Sequence, residues 1–374
     1  MAFGLRRVAA LSSLPTLFAA ALIAPPCAGT AQEAEYFQPP EQKPKLLFRW
    51  DALARYDLID HLHFRGKIER LRLEVRPEAD LDFSDRFRIG VRAVGDLGTD
   101  HNSDNLRNFD NYRSRGASIE RYYIEAKPGP AVIRAGAFGM PLVASEMIWD
   151  RDIQTPGVAA AWEIPAGSSS AFTVAGAGFY GPQRDGDHTR IGVGQAVWRV
   201  GDPLRLSVDL SAAYWHFDPD DLKPSYIRQN TFVVSGGVRQ YASRFHLVDG
   251  MIRLRFPVGP VPATVSLDFV GNTGSTVAID PGRFAFEGNL VLGRVGRPRN
   301  VRFIYTFQYV ERDAVIGAYN TDDWWFHSWY RGHRVAIACT ILPDVYVQGS
   351  IVFQQRLDQK STLNRLMVDL AKLF

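Results

Sequence analysis

A strict alternation of charged and apolar residues over positions 70–83 constrains this chain more than any other feature. The segment reads Arg-Leu-Arg-Leu-Glu-Val-Arg-Pro-Glu-Ala-Asp-Leu-Asp-Phe, with a charge at every even position. A period of two is typical of a β-strand whose two faces meet different surroundings. After positions 84 and 85 the alternation resumes through Arg88 and Arg92. The pattern therefore predicts a long hairpin joined by a tight turn.

The length of these strands distinguishes them from those of an ordinary soluble sheet. Soluble strands span about five or six residues, whereas strands that cross a membrane need about 9 to 11. The alternation recurs along the chain, and short connections follow the even-numbered strands while most long ones follow the odd-numbered strands. We therefore predict an all-β fold, a transmembrane antiparallel β-barrel of about sixteen strands, with fourteen or eighteen as alternatives. The fourth strand is expected to end at 127. The other strands are expected at 46–58, 70–83, 86–98, 131–138, 157–163, 171–180, 190–200, 204–211, 252–256, 265–269, 284–294, 301–312, 335–341, 345–356 and 364–374.

The first 31 residues predict export from the cytoplasm. Arg6 and Arg7 precede an apolar run, and small residues lead to Ala31, which is the pattern of a secretory signal peptide. An uncleaved anchor helix is the alternative, but the run is short and interrupted. Lipid attachment at Cys27 is disfavoured because Pro26 immediately precedes it. We expect residues 1–31 to be removed, residues 32–45 to form a periplasmic lead-in and residues 46–374 to form the barrel.

Composition narrows the classes of function. The chain has 43 basic and 40 acidic residues, and loss of the signal peptide brings the two counts closer still. This balance does not indicate a nucleic-acid partner. Cys339 would be the one cysteine left in the mature chain, so no internal disulfide is expected. No second segment resembles a membrane helix, so a membrane location would have to come from strands.

Charged positions on the first three strands predict the wall of an aqueous pore, because a barrel of this size leaves a channel. The predicted pore-lining residues are Arg49, Arg55, Arg70, Arg72, Glu74, Arg76, Arg88 and Arg92. A loop near 139–156 is expected to fold inward, and its predicted constriction residues are Glu146, Asp150, Arg151 and Asp152. An acidic loop opposite a basic wall would filter solutes by charge. In the alternative, the loop covers the mouth and the arginines pair with Asp51, Glu74 and Glu78.

Catalytic chemistry finds little support in the sequence. His61 and His63 have the spacing of a metal-binding pair, but no third ligand is evident nearby. No Gly-x-Ser-x-Gly nucleophile elbow is present. We therefore predict no catalytic residue, no metal site, no cofactor and no enzymatic activity.

Two stretches resemble the bacterial outer-membrane putative porins, which are kin of the phosphate-selective porins. The first runs from Gly-Ala-Phe-Gly-Met-Pro at 136–141 through Ile-Trp-Asp-Arg-Asp at 148–152 to Pro-Gly-Val-Ala at 156–159. The second is the last strand, which resembles the signal read by the outer-membrane assembly machinery through Leu366, Val368, Leu370 and Phe374. Lys372 departs from that signal, and the chain lacks the family's long N-terminal coiled coil.

The resemblance implies a porin of the bacterial outer membrane that allows passive diffusion of small hydrophilic solutes or ions. The arginine-rich wall adds a preference for anions as a hypothesis. Expected partners are outer-membrane lipid, the assembly machinery, the solutes themselves and two further copies in a homotrimer. The alternative is a barrel without a channel, either an outer-membrane enzyme or a structural or adhesive protein that presents its long loops.

Overall fold

The computed structural model describes residues 44–62, 66–98, 116–180, 189–202, 205–218, 230–275 and 282–372. The predicted signal peptide and nearly all of the lead-in lie outside these described residues. Within them, regular secondary structure consists of β-strands, and no helix is long and apolar enough to cross a membrane.

Sixteen antiparallel strands close into one barrel. Strands β10 and β11 form a separate two-stranded sheet. The strands are β1 Lys45–Leu62, β2 Gly66–Ser84, β3 Phe87–Gly98, β4 Gly116–Ala126, β5 Ala131–Gly139, β6 Gln154–Pro165, β7 Ser170–Tyr180, β8 Arg190–Asp202, β9 Leu206–Asp218, β10 Phe232–Ser235, β11 Val238–Tyr241, β12 Phe245–Val258, β13 Val261–Asn272, β14 Phe284–Gly293, β15 Val301–Val310, β16 Tyr330–Leu342, β17 Val345–Arg356 and β18 Thr362–Lys372. The predicted fold class and strand number are confirmed.

The barrel closes where β1 pairs with β18. Their register runs from Ala52 opposite Lys372 to Asp60 opposite Asn364. Every barrel strand thus has two neighbours. Closure matters because an open edge in lipid would leave a row of backbone N–H and C=O groups without hydrogen-bond partners.

The two faces of the barrel wall have opposite character. Along β2, Leu71, Leu73 and Val75 are 43 to 49% exposed, whereas the intervening Glu74 is 1% exposed. The same arrangement of exposed apolar and buried polar side chains recurs around the barrel. A soluble protein would bury its apolar face, so the inverted pattern is the one expected of a wall in contact with lipid.

Several strands extend beyond their predicted bounds at the end that carries the long loops. The strand predicted at 252–256 is β12, Phe245–Val258, and the one predicted at 335–341 is β16, Tyr330–Leu342. In the added part of β12 the buried face is mostly apolar: it carries Phe245, Leu247 and Met251, with Asp249 as its charged member. Alternation of polarity is lost there, which removed the signal on which the prediction depended. The β10–β11 hairpin falls within a connection that the sequence predicted as a loop.

The opposite ends of the strands meet in tight turns. Pro343 and Asp344 form the predicted two-residue turn between β16 and β17, and Asp344 adopts a φ of 60°. Gly201, near the end of β8, has a φ of 97°, and a Cβ there would lie 2.1 Å from the Leu206 carbonyl oxygen. Only glycine fits this close approach of two backbones.

Candidate functional site

The buried faces of β18 and β1 to β4 form a continuous charged wall, named here the charged arc. It carries all of the arginines that the sequence predicted to line a pore, namely Arg49, Arg55, Arg70, Arg72, Arg76, Arg88 and Arg92. Each of them has a carboxylate oxygen within 4.0 Å. Carboxylates from neighbouring strands and from two loops therefore offset most of the positive charge of this wall.

The charged arc continues across the seam where the barrel closes. Arg55 Nε lies 2.8 Å from Asp369 Oδ1, and Arg365 Nη2 lies 2.8 Å from Asp57 Oδ2. Arg70 also donates to Asp57, over 2.7 Å from its Nε. Because Arg365 is 2% exposed and Asp57 2%, these ion pairs are shielded from solvent. They join the first barrel strand to the last.

Glu74 is the centre of the next group of charges. Its two oxygens accept hydrogen bonds from Arg72 and from Arg76, the latter over 2.8 Å. Arg76 also lies 3.5 Å from Asp152 and 3.8 Å from Glu120. Glu74 was predicted as a pore-lining residue, and the structure places it between two guanidinium groups at 1% exposure.

The charges nearer the short turns are more open to solvent. The side chain of Arg49 is 43% exposed and lies 3.3 Å from Glu78. Arg88, at 29% exposure, donates to Asp82 over 3.2 Å. Arg92, by contrast, is 7% exposed and lies 4.0 Å from Glu78. Solvent access along the charged arc therefore decreases from the turns toward the long loops.

Asp150, predicted as a constriction charge, links segment 140–153, which connects β5 to β6, with segment 311–329, which connects β15 to β16. Its Oδ1 accepts the backbone N–H of Asp152 over 3.0 Å, and its Oδ2 accepts that of Asp322 over 3.1 Å. The Asp150 N–H donates to the Tyr319 carbonyl over 2.7 Å. At 6% exposure, this carboxylate is engaged mainly by backbone groups.

The other predicted constriction residues differ in their surroundings. Glu146 Oε2 lies 2.6 Å from Arg334 Nη2. Asp152 reaches Arg76 and stays 38% exposed. The side chain of Arg151 is 84% exposed, with Glu146 4.0 Å away. Of the four predicted residues, Arg151 is thus the one most open to solvent.

A second segment, residues 311–329 between β15 and β16, contacts the charged arc and was not predicted to do so. Asp323 accepts from Arg55 over 2.8 Å and from Arg334 over 3.1 Å. Burial alone would raise the pKa of Asp323, but the guanidiniums of Arg55 and Arg334 outweigh it and lower the pKa. Asp322, its neighbour, lies 3.7 Å from Arg72. The available signal was a pair of aspartates next to two tryptophans in a long loop.

Both segments also pack against an apolar surface on the opposite wall, named here the apolar arc. It comprises buried side chains near the long-loop ends of β7 to β9 and β12 to β16, among them Phe179, Val193, Trp215, Phe217, Phe245 and Leu247. Trp149 of the first segment stacks on Tyr319 of the second at 5.4 Å and on Trp215 of the wall at 6.2 Å. Each segment therefore presents acidic groups to the charged arc and apolar groups to the apolar arc.

Arginines also occupy the wall below the apolar arc, toward the short turns. Arg199 of β8 and Arg255 of β12 both donate to Asp209 of β9, over 3.2 Å and 2.7 Å. Arg253 lies two residues from Arg255, on the same face of β12. This group, Arg199, Arg253, Arg255 and Asp209, is named here the basic basin. Arg253 and Arg255 were not among the predicted pore-lining residues.

A group of carboxylates lies between the basic basin and the loops. Asp249, Asp268 and Glu287 are 2%, 1% and 6% exposed on neighbouring strands. Gln308 donates to Glu287 over 2.6 Å. Both oxygens of Asp268, one of Asp249 and the hydroxyl of Ser145 have no hydrogen-bond partner among the described residues. This pocket is therefore an unsatisfied part of the wall.

The predicted assembly signal lies on the exposed face of the last strand. Leu366, Val368 and Leu370 alternate with buried residues of β18, while Phe374 is outside the described residues. Lys372, which departs from the family's pattern, places its Nζ 4.0 Å from the centre of the Trp50 ring. Its charge is thus held against an aromatic side chain.

His61 and His63 have the spacing of a metal-binding pair but were not predicted to form a metal site, and they cannot be placed because His63 is outside the described residues. Across the described ranges, no three or more His, Cys, Asp or Glu side chains are grouped so that they could hold a metal ion.

Comparison with known proteins identifies a family segment and a fold. Residues 58–180 match the family described as putative porin, and these residues include the stretch at 136–159 that carries the resemblance. The match covers less than half of the chain and shows a resemblance over that segment. The predicted relation to putative porins is confirmed, and a link to the phosphate-selective porins stays a prediction. No curated protein matches the chain.

Among solved structures, OprB of Pseudomonas putida in a high-pH structure is similar, with a TM-score of 0.59 and 13% identity over 87% of this chain and 93% of that one. A double variant of the Rhodopseudomonas blastica porin gives a TM-score of 0.49 and 12% identity over 87% and 100%. A triple variant of the same porin gives a TM-score of 0.47 and 10% identity over 87% of this chain and 100% of that one. At these identities, the likeness to OprB establishes the fold.

Proposed function

We propose that this protein is a porin of the bacterial outer membrane through which small hydrophilic solutes or ions diffuse passively. One observation carries the proposal: the barrel is closed, with an apolar exposed face and a buried face rich in ionisable groups. Such a wall suits lipid outside and water inside. The porin segment at 58–180 gives independent support.

We further propose that segments 140–153 and 311–329 narrow the passage at the long-loop end. Both contact two opposite parts of the wall, the charged arc and the apolar arc. A solute would then pass the exposed groups that remain, including Arg49, Arg88, Arg151 and Asp152. A passage with both signs of charge at close range favours small, well-hydrated solutes over large or apolar ones.

The anion preference hypothesised from the arginines of β1 to β3 is expected to be small on that wall. Each of these arginines has an acidic partner within 4.0 Å, and paired charges give a weak field at a distance. Pairing of these arginines with carboxylates is one part of the alternative that the sequence left open; a loop that only covers the mouth is the other part, which we do not propose. A preference for anions would need a source elsewhere in the lumen.

The test is to refold the mature chain, insert it into a planar lipid bilayer and record single-channel currents under a salt gradient. Stable conductance steps from a preparation with barrel circular dichroism and heat-modifiable gel mobility would support a porin. The absence of steps from a preparation that passes both checks would overturn the proposal. That outcome would favour the alternative of a structural or adhesive barrel, or an outer-membrane enzyme.

Processing and assembly complete the proposal. We propose cleavage after Ala31, insertion by the outer-membrane assembly machinery through the β18 signal, and association into a homotrimer by analogy with the fold. Mass spectrometry of the protein from outer membranes would identify the first residue. Cross-linking in native membranes would give the number of copies, and a monomer would contradict the last part.

A further inference from the structure

The basic basin differs from the charged arc in its ratio of charges. Among the described residues, Asp209 is the one carboxylate that forms ion pairs there, and it pairs with both Arg199 and Arg255. Its Oδ1 faces Arg199 at 3.2 Å and its Oδ2 faces Arg255 at 2.7 Å. This part of the wall therefore has three guanidinium groups and one carboxylate, which pairs with two of them.

Arg253 is the member left without an acidic partner. It lies directly opposite Asp209 in the pairing of β12 with β9, yet both oxygens of Asp209 are engaged by the other two arginines. Among the described residues Arg253 forms no ion pair, and its hydrogen bond goes to Met251 Sδ over 3.4 Å. A sulfur atom is a weak acceptor, so most of the hydrogen-bonding capacity of this guanidinium is unused.

Neighbouring groups add donors and no further carboxylate at bonding distance. Ser207 lies opposite Arg255 in the β9–β12 pairing, is 0% exposed, and its hydroxyl has no hydrogen-bond partner among the described residues. Arg255 lies two positions from Arg253 on the same face of β12 and adds a second guanidinium group. Asp268 lies opposite Met251 in the pairing of β12 with β13, two positions along β12 from Arg253, and the two form no ion pair among the described residues. The basin is thus rich in donors and poor in acceptors.

We propose that the basic basin binds a small anion that carries several oxygen atoms, such as a phosphate, a sulfate or a carboxylate. The planar fork of arginine donates two parallel hydrogen bonds to such groups, and a charged acceptor makes them short and strong. Arg253 and Arg255 would hold the anion, while Arg199 keeps Asp209 turned away from it. The proposal rests on the porin function, because the site matters to a solute that enters the lumen.

The position of the basin gives it a defined part in transport. It lies on the wall opposite the charged arc and toward the short turns, where arginine side chains remain 29 to 44% exposed. A site that binds an anion there would increase the local concentration of that anion at one end of the passage. The selectivity that the sequence assigned to β1 to β3 would then come from β8, β9 and β12.

The experiment uses the refolded full barrel in planar bilayers, with inorganic phosphate as the probe and potassium chloride as the carrier of current. Arg253→Gln is the main variant, and Arg253→Lys keeps the charge but removes the fork. Arg331→Gln is the control, because Arg331 bonds Gln355 on the exposed face of β16. We expect Arg253→Gln to shift the zero-current potential toward cations and to raise the half-blocking phosphate concentration about tenfold. Arg253→Lys should keep the zero-current potential of the wild-type barrel but only part of its block by phosphate.

Asp209→Asn provides a test in the opposite direction. It removes the one negative charge that forms ion pairs in the basin and should strengthen both anion preference and phosphate block. Because this variant is expected to gain anion preference, misfolding alone cannot account for its result. Acetate and sulfate titrations then distinguish a carboxylate solute from a tetrahedral oxyanion as the preferred ligand.

The outcomes separate this inference from the porin proposal. If the wild-type barrel conducts but Arg253→Gln and Asp209→Asn leave both potential and phosphate block unchanged, the anion site is wrong and the porin proposal stands. If the folded wild-type barrel does not conduct, the porin proposal itself fails. Opposite shifts in the two variants, with the control unchanged, support the site.

Discussion

The charged arc and the basic basin both have arginines on the buried face of the barrel. The two groups of arginines differ in how many carboxylates lie near them. In the charged arc Arg76 has four carboxylates within 4.0 Å. In the basin Arg253 has none among the described residues. Both acidic and basic side chains occur along the polar face of β2, so this strand brings its own counter-charges, whereas on β12 Met251 separates Arg253 from Asp249. Local pairing, more than the number of arginines, decides which wall can bind an anion.

The largest effect is expected where an ion pair of the charged arc loses one member. Arg365→Met should lower the free energy of unfolding by about 3 to 5 kcal/mol, because it leaves Asp57 with one of its two arginines in a buried position. Urea unfolding in lipid vesicles, followed by tryptophan fluorescence, measures this. Arg331→Met on the exposed face should change the value by less than about 0.5 kcal/mol. Equal losses in the two variants would contradict the shielding of the seam.

The next effect concerns the link between the loops and the apolar arc. Trp149→Ala should cost about 3 kcal/mol, because the side chain is 3% exposed and stacks between Tyr319 and Trp215. The 140–153 segment should then loosen, and single-channel conductance should rise. Trp149→Phe should retain most of the stability and the original conductance. A lower conductance in the alanine variant would argue against this segment as the narrowing element.

In the carboxylate pocket, a substitution is expected to stabilise the barrel instead of destabilising it. Asp268→Asn should raise the free energy of unfolding at neutral pH by about 1 to 2 kcal/mol, because no cation among the described residues pairs with this buried carboxylate. The same change at Asp57, which has two arginine partners, should lower it. Urea unfolding of both variants makes the comparison. If both substitutions destabilise the barrel, the pocket holds a partner that neutralises Asp268.

The smallest effect is the response of segment 311–329 to acid. Arg55 and Arg334 lower the pKa of Asp323, so its ion pairs stabilise the fold fully above the ordinary aspartate pKa of about 3.9. That contribution, roughly 1 kcal/mol, is lost as the pH falls through the lowered value. Fluorescence of the adjacent Trp324 and Trp325 should change below about pH 4. Asp323→Asn should remove that transition, and its persistence would assign the transition to another group.

Sequence reasoning succeeded where the two faces of a strand differ in polarity. The prediction of 70–83 for β2 lies within the observed Gly66–Ser84, because charge alternates with apolar residues along nearly the whole strand. It fell short in β12, where Phe245 and Leu247 occupy the buried face beneath the loops. A strand that is apolar on both faces has no period to detect.

Pairing partners were beyond the reach of the sequence for a different reason. Alternation placed Arg55 on the polar face, but its contacts are Asp369 of β18 and Asp323 of segment 311–329. These depend on barrel closure and on loop packing. Likewise, Arg253 could be assigned to a face from sequence, whereas its lack of a partner follows from the way Arg199 and Arg255 engage Asp209.

The seam between β1 and β18 has a consequence for how the molecule forms. Arg55 and Asp369 are 314 positions apart, so their contact belongs to the slow, non-local class that incurs a large loop-closure entropy. Until β18 docks, the sheet has two free edges that could pair with other chains. The ion pairs at the seam would then favour docking on β1 over a foreign strand. Biogenesis of the whole barrel thus depends on its last pairing event.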